Sequence, residues 1–374
     1  GRLEALSQKV SRCIRCGKCK PACAMHHPAR GLFYHPRNKN LALGALLDAL
    51  LYDAQRWRSH GFELLAGMTE VADACTLCRR CLKPCPVDID SGDVSLQERE
   101  LLASEGLKRT PMLTRLTLRY LDTRSRPLNR LVRLALVRGG GAAQRVGVRV
   151  MRPLQREDRP PRLYALRLLR SPMAPVPGQD LWRHLPRCRP DQALVLEPQV
   201  PPRATVLYFP GCGSERLHTT VAQAAIHLLL ETGNRVILPP PHLCCGYPAH
   251  ANARKDLHRR SELRDGILLS QIRQQLSHLN VQACVVTCGT CREALLSLEA
   301  DRLFGGVVDV LEHLANQGLQ VWAPGPWRYH APCHDALQGR AGTVLPRMGL
   351  GPLEPVPHCC SEAGTLALSR PDLA

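Results

Sequence analysis

Aromatic side chains are scarce in this sequence of 374 residues, which has 4 Trp, 7 Tyr and 4 Phe, or 4% of the chain. Proteins that bind single-stranded nucleic acid commonly stack its bases on aromatic rings. The shortage therefore argues against a nucleic-acid partner, although the formal net charge is +18.

Other absences narrow the function further. No run of about 18 apolar residues is free of charge, so no transmembrane helix is expected. The fingerprint G-x-G-x-x-G does not occur, which gives no support for FAD or NAD binding by this chain itself. No secretory leader is recognisable at the start. We expect a cytoplasmic protein, with peripheral association at the inner face of the membrane as an option.

The positive charge is concentrated in one section. Residues 105–203 contain 21 Lys or Arg and 7 Asp or Glu, so +14 of the net charge lies there. Within residues 112–138, Leu and Val recur at helical spacing, and Pro127 is predicted to divide two helices. Residues 139–141 (GGG) are predicted to be a hinge, and the Pro-rich residues 152–202 an extended connector. The arginines have two interpretations. They could dock to an acidic partner or to an anionic membrane, or they could form a solvated helix face, and we favour the solvated face.

Cysteine is abundant, with 18 in the chain, and eight of these residues form two matching runs. Residues 13–23 read CIRCGKCKPAC and residues 75–85 read CTLCRRCLKPC. Each run has the spacing C-x2-C-x2-C-x3-C, which binds cubane [4Fe–4S] clusters in bacterial ferredoxins. Three thiolates at this spacing can wrap one corner of a cluster, while the fourth points away and serves the other cluster. The spacing predicts two [4Fe–4S] clusters.

Zinc and disulfides account for these runs less well. Structural zinc sites use separated C-x2-C pairs, which leave the third and fourth cysteines unexplained. Clusters require thiolates, so a reducing compartment is expected. His26 and His27 follow the first run and are expected to be solvated loop residues, because the cysteine ligands are already complete.

The spacer between the runs is predicted to be helical. It contains 51 residues, and apolar residues recur at three- and four-residue spacing within residues 41–70. A further helix from about Ser91 to Gly106 would close the module. This long helical spacer indicates the dicluster module of respiratory iron–sulfur subunits, in which ligation is crossed between the runs. The predicted ligands are Cys13, Cys16, Cys19 and Cys85 for cluster 1, and Cys75, Cys78, Cys81 and Cys23 for cluster 2.

From residue 204 onward, the pattern changes to alternating strands and helices. The cysteines in this part follow predicted strands, and open α/β sheets build their sites at the carboxyl ends of strands. Strands are predicted at 204–209, 235–239, 281–288, 327–333 and 352–360, and helices at 217–232, 251–278 and 307–318.

Five segments carry a resemblance to a known family: YFPGCG, PHLCCGYPA, VVTCGTC, YHAPCH and HCCSEAG. Together with the dicluster runs, they resemble CCG-domain iron–sulfur proteins of the heterodisulfide-reductase type. That family includes the iron–sulfur subunits of glycolate oxidase, D-lactate dehydrogenase and anaerobic glycerol-3-phosphate dehydrogenase. The chain also resembles the iron–sulfur half of fusions that carry an FAD-linked oxidase domain upstream, so we expect it to be the C-terminal part of such a fusion.

The resemblance implies a fold class and further sites. The fold would be an α-helical dicluster ferredoxin module followed by an α/β CCG-repeat domain. The expected divisions are 1–106 (dicluster), 107–202 (basic connector), 203–326 (first CCG repeat) and 327–374 (second repeat, incomplete). A first CCG set would bind a non-cubane [4Fe–4S] cluster, with zinc, a cubane or an empty site left open. Its ligands would be Cys212, Cys244, Cys245, Cys288 and Cys291.

The second CCG set departs from the family pattern. It would comprise Cys333, Cys359 and Cys360, but its final C-x2-C pair is missing, and Ser361 stands where the family has Gly. Zinc, a cubane or an empty site stay open here too.

Three functions follow from these observations. The first is transfer of electrons from an FAD-containing dehydrogenase, as a subunit or fused domain, to a quinone or other acceptor. The dehydrogenase would oxidise a 2-hydroxy acid or a similar substrate. The second is disulfide reduction at the CCG cluster, fed by the dicluster module. The third is a zinc-bound basic docking protein, which both cysteine spacings oppose.

Overall fold

The N-terminal part of the molecule is a bundle of helices around two cysteine loops. The computed structural model describes residues 1–25, 34–57, 63–154, 163–357 and 359–360; His26 and His27 lie outside them. Leucines of the second helix, Leu43, Leu47 and Leu50, pack against Leu6 and Val10 of the first. The helices are α1 (Arg2–Ser11), α2 (Pro36–Trp57), α3 (Glu63–Ala66), α4 (Thr69–Asp73) and α5 (Ser91–Ser104).

The predicted helix after the second run is confirmed as α5. Asp90 caps its first turn, because its side chain accepts hydrogen bonds from the backbone N–H groups of Gly92 and Asp93. The helix therefore begins directly behind the second cysteine loop and holds that loop against the bundle.

The basic connector is largely helical. Its main elements are α6 (Met112–Asp122), α7 (Arg126–Val132), a π-helical segment (Arg133–Gly140) and α8 (Gly141–Met151). Short pieces follow: a 3-10 turn (Arg152–Leu154), α9 (Tyr164–Arg167) and a second 3-10 turn (Leu181–Arg183).

One connector prediction is confirmed and another is wrong. The chain breaks before α7, where Pro127 occupies the first turn, the position in which proline is tolerated. The hinge predicted at residues 139–141 is absent from this described segment, since these glycines lie inside continuous helix. A glycine costs a helix only about 1 kcal/mol relative to alanine, so three of them do not by themselves end it.

The C-terminal part contains an α/β sheet of five strands with parallel order in its centre. The strands lie in the order β1-β3-β2-β4-β5; β1 is antiparallel to β3, and the remaining neighbours are parallel. The elements are β1 (Leu194–Leu196), β2 (Ala204–Phe209), α10 (Gly211–Arg216), α11 (Thr219–Glu231), β3 (Asn234–Leu238), α12 (Tyr247–Ala251), α13 (Lys255–Gln275), β4 (Val281–Val286), α14 (Gly289–Ser297), α15 (Ala300–Phe304), β5 (Val307–Asp309) and α16 (Val310–Asn316).

Helices cover both faces of this sheet. Val206 and Tyr208 of β2 pack on one side with α11 and α16, whereas Leu207 and Phe209 pack on the other with α13 and α14. A two-stranded parallel sheet follows, formed by β6 (Trp327–Tyr329) and β7 (Leu353–Pro355), with α17 (Ala341–Arg347) between them. The predicted fold class, a helical dicluster module followed by an α/β domain, is confirmed.

Several boundaries differ from the predictions. Residues 307–309 form strand β5, not the start of a helix, because Val307 and Val308 pair with Cys284 and Val285 of β4. Strand β1 was not predicted, because it lies within the Pro-rich residues that were predicted to be an extended connector. The predicted helix 251–278 corresponds to α13, which begins only at Lys255, because Ala253 has a left-handed conformation between α12 and α13.

No helix among the described residues has the length and apolar character needed to cross a bilayer.

Candidate iron–sulfur centres

The first cavity of the dicluster module joins cysteines from both runs. Cys13, Cys16 and Cys19 line it together with Cys85 and Cys81. The predicted ligands of cluster 1 are therefore brought together across more than sixty residues of sequence.

A second cavity joins the complementary set. It is lined by Cys75, Cys78 and Cys81 together with Cys23. These are the predicted ligands of cluster 2. The buried Lys39 also lines this cavity, with 4% of its surface exposed. Its positive charge favours the more negative, reduced form of a bound cluster.

The two cysteine loops bend at equivalent positions. Arg15 and Gly17 have φ values of 61° and 78°, and their counterparts Leu77 and Arg79 have 56° and 55°. A left-handed residue on each side of the second cysteine turns the backbone around the cavity. Non-glycine residues in this region carry backbone strain of about 1 kcal/mol or more, and here the strain occurs where a cluster would be held.

The chemistry of the cavities fits a cluster with thiolate ligands. Burial raises the pKa of Cys23 to about 12 and that of Cys81 to about 11. A bare thiolate is unfavourable there, and bound iron would supply the compensating charge. Backbone N–H groups also face the sulfur atoms: that of Ile89 donates to Cys85 Sγ at 3.3 Å. Hydrogen bonds of this kind are typical of cluster sulfurs.

A third group of cysteines lies at the carboxyl edge of the large sheet. Cys212 follows β2, Cys244 and Cys245 follow β3, and Cys288 and Cys291 follow β4. Because these strands are parallel neighbours, their carboxyl ends meet at one edge. The five residues of the predicted first CCG set are thus brought together.

The thiols of this set form a continuous hydrogen-bonded chain. The Sγ atoms of Cys212 and Cys244 are 3.5 Å apart, and Cys245 contacts both Cys244 and Cys291. The hydrogen bond with Cys212 holds the pKa of Cys244 well below its usual value. The hydrogen bond with Cys291 likewise lowers the pKa of Cys288 to about 5. The arrangement favours thiolates at Cys244 and Cys288, and a thiolate is the form that ligates a metal.

No group of three or more Cys, His, Asp or Glu residues in the described part of the chain is arranged to hold a single metal ion. Of the described cysteines, those of the two runs line the two cavities, and those of the first CCG set form the thiol chain.

The second CCG set lies against the dicluster module. A hydrogen bond between the thiols of Cys78 and Cys333 lowers the pKa of Cys78 to about 5 and raises that of Cys333. Cys359 and Cys360 are near enough to Cys333 to raise its pKa further. Ser361 and the residues after it lie outside the described part. No sequence pattern indicated that this set would contact the predicted ligands of cluster 2.

His334, next to Cys333, is part of a polar network. His334 Nε2 is 2.8 Å from the Tyr247 hydroxyl, and its Nδ1 is 3.0 Å from Glu293. Arg79 lies 3.9 Å from the same Glu293. The network therefore links the first CCG set, the second set and the second dicluster loop.

Sequence reasoning missed Arg99, which is buried with 6% exposure. Its Nη2 donates to the carbonyls of Ala72 and Cys75 at 2.7 and 2.6 Å, and its Nη1 donates to Ala251 O at 2.7 Å. Arg99 thus fixes the start of the second cysteine loop and joins it to the α/β domain. The sequence pattern could have predicted that Arg99 is buried, because it lies three residues after Leu96 and three before Leu102, on the apolar face of the helix.

Arg216 was also missed, although it is almost fully buried at 1% exposure. Its guanidinium donates to Asn129 Oδ1 at 2.9 Å, to Thr123 O at 3.1 Å and to His242 O at 3.0 Å. It therefore holds the connector against the loop that precedes Cys244.

Two family models match separate segments of the chain. Residues 9–89 match the 4Fe-4S dicluster domain, and residues 206–295 match the cysteine-rich domain called CCG. The fold and the cysteine sites thus define an iron–sulfur electron-transfer protein. More particularly, the chain joins a segment that matches a 4Fe-4S dicluster domain to a segment that matches a CCG cysteine-rich domain.

Individual relatives agree with this description. The glycolate oxidase iron-sulfur subunit of Escherichia coli K12 is 23% identical over 97% of this chain and 81% of its own length. Lactate utilization protein A of an Exiguobacterium species is 24% identical over 45% of this chain and 76% of its own length. An uncharacterized iron-sulfur protein of Methanocaldococcus jannaschii is 26% identical over 45% of this chain, which spans only 34% of that relative. No solved structure matches the chain.

Proposed function

We propose that this chain carries single electrons from an FAD-containing dehydrogenase, as a partner subunit or fused domain, to a quinone or another acceptor. The dehydrogenase would oxidise a 2-hydroxy acid or a similar small substrate. The relatives named for glycolate oxidase and lactate utilization support this class of substrate. A quinone acceptor would place the chain at the surface of a membrane as a peripheral subunit.

The observation that carries the proposal is the crossed lining of the two cavities. Each cavity is lined by three cysteines of one run and the fourth cysteine of the other, and Cys81 also lines the first cavity. The residues that would hold the clusters are Cys13, Cys16, Cys19 and Cys85 for the first, and Cys75, Cys78, Cys81 and Cys23 for the second. Bound clusters accept and release one electron at a time, which suits a relay between a two-electron flavin and an acceptor.

The contact between Cys78 and Cys333 supports a direction for the relay. It lies between a predicted ligand of cluster 2 and the second CCG set. Arg99 and the ion pair of Arg79 with Glu293 hold the dicluster loop and the cysteine-rich part together. Cluster 2 is therefore the proposed exit from the dicluster module, and cluster 1 the entry.

Anaerobic purification tests this proposal most simply. The protein should be brown, contain about eight irons or more, and show signals of two reduced cubane clusters by electron paramagnetic resonance. Cys188→Ser is a suitable control, because Cys188 is buried and hydrogen-bonded to Gln192 O, away from both cavities. A colourless, zinc-loaded protein would refute the proposal.

A second candidate, disulfide reduction at the first CCG set, rests on the continuous chain of five thiols. The dicluster module would then feed electrons to this centre. Disulfide-dependent oxidation of a reduced viologen, lost in Cys245→Ser and retained in Cys284→Ser, would favour this candidate. Cys284 is an apt control because it is buried within β4, outside the thiol chain. Viologen oxidation that is independent of any disulfide would count against it.

A further inference from the structure

The connector helices expose many large apolar side chains. Among the described residues, 20 large hydrophobic side chains are exposed, and nine of them lie within the 39 residues from 112 to 150. Single exposed apolar residues are ordinary, but a concentration of this kind marks an interaction surface. The nine are Met112, Leu113, Leu116, Leu128, Leu131, Leu134, Leu136, Val146 and Val150.

The same helices are strongly basic. Residues 112–152 contain ten arginines and a single carboxylate, that of Asp122. Asp122 Oδ1 is 2.9 Å from Arg264 of α13, so its charge is already paired with the α/β domain. Six of the arginines are exposed: Arg115, Arg119, Arg130, Arg138, Arg149 and Arg152. We call these six and the nine apolar side chains the connector surface.

The inner sides of these helices are fixed to the α/β domain. Tyr120 and Asn129 are buried, and both accept hydrogen bonds from Arg216. Arg133 is buried as well and donates to the carbonyls of Arg216 and Gln179. Because the inner residues are held in this way, the leucines and valines of the connector surface stay on the outside.

We propose that the connector surface binds an anionic lipid bilayer. Helices that expose both apolar and basic side chains lie in the interface of a membrane, with the apolar groups among the acyl chains. The arginines meet the lipid phosphates, to which their planar guanidinium groups bind well. An acidic protein surface would match the arginines but would leave the interleaved Leu and Val side chains without apolar contacts. The inference does not depend on the clusters or on the electron acceptor.

Sedimentation with vesicles tests the proposal. The purified holoprotein should pellet with vesicles of phosphatidylglycerol and phosphatidylcholine, and much less with phosphatidylcholine alone. Added salt should weaken binding without abolishing it, since the charges are screened while apolar burial persists. Failure to bind the anionic vesicles would overturn the proposal.

Variants distinguish binding through the connector surface from nonspecific adsorption to vesicles. Leu131→Ser with Leu134→Ser should weaken vesicle binding about tenfold or more, and Arg130→Glu with Arg138→Glu should do the same. Leu263→Ser with Ile267→Ser is the matched control, because these α13 residues are 69% and 58% exposed outside the connector surface. Circular dichroism and iron content report that each variant is folded. Equal vesicle binding by the connector variants and the control would refute the lipid assignment. The same conclusion would follow if the connector variants lost binding to an acidic protein while their binding to vesicles was unchanged.

Discussion

Gly211 allows the loop after β2 to pass close to the thiol of Cys291. Its φ is +65°, and a Cβ atom at this position would lie 2.5 Å from Cys291 Sγ. Cys291 is buried at 3% exposure, so its sulfur has little room to move. At the scale of single residues, position 211 has no room for a side chain beside this thiol chain, so only glycine fits there.

Gly211→Ala is therefore expected to destabilise the protein by about 2 kcal/mol, through both the clash and the left-handed backbone. Chemical denaturation measures this change. Gly213→Ala in the same helix is the control, because nothing lies within 4 Å of its added Cβ atom. Equal stability of the two variants would contradict the close approach.

Glu98 makes a prediction about pH. Burial raises its pKa from 4.5 to about 7, and Oε1 has no hydrogen-bond partner among the described residues. The unfolded chain loses this proton near pH 4.5 and the folded protein near pH 7, so stability falls between these values as the pH rises.

Glu98→Gln should remove this slope and stabilise the folded protein at and above neutral pH, by up to about 3 kcal/mol. Thermal midpoints measured across the pH window check the prediction. Glu105→Gln, an exposed change just after the same helix, should follow the wild-type curve. A Glu98→Gln curve parallel to wild type would show that Glu98 titrates normally.

At the scale of elements, Arg216 at the end of α10 joins three parts of the chain. It binds carbonyls of the α6–α7 junction and of the loop that leads to Cys244. Arg216→Lys keeps the charge but loses the fork of donors, so it should cost about 3 kcal/mol. Trypsin should then cut faster within residues 107–154.

Arg235→Lys is the matched control for Arg216→Lys. Arg235 pairs with the exposed Glu197 at 2.7 Å, and pairs at the surface contribute about 0–1 kcal/mol. Unchanged proteolysis in Arg216→Lys would mean that the connector is held by other contacts.

The elements themselves followed mostly from local patterns. Strand β2 has the predicted bounds, since all six of its residues are buried in a parallel sheet and read as a continuous apolar run. The short strands β1 and β5 could not be predicted from local patterns. Each has only three residues, which are too few to show a periodicity, and each forms by pairing with an adjacent strand. The three glycines at residues 139–141 led to a wrong prediction of a hinge. Glycine disfavours helix only weakly, and the helical residues on both sides override that preference.

At the scale of the whole molecule, the sequence predicted which cysteines would group together but not how the groups meet. Ligand spacing is a local property, so the crossed sets could be read from two short runs. The contact of Cys78 with Cys333 spans more than 250 residues and depends on buried polar residues such as Arg99. Nothing in local pattern encodes such a contact.

The measurement that tests the crossed arrangement most directly compares single serine variants in a redox titration followed by electron paramagnetic resonance. Cys16→Ser and Cys85→Ser should remove the same one of the two cubane signals, and Cys75→Ser and Cys23→Ser should remove the other. The pairing follows from the two cavities. If Cys85→Ser instead removes the signal that Cys75→Ser removes, each run holds its own cluster, and the crossed relay proposed for this protein is wrong.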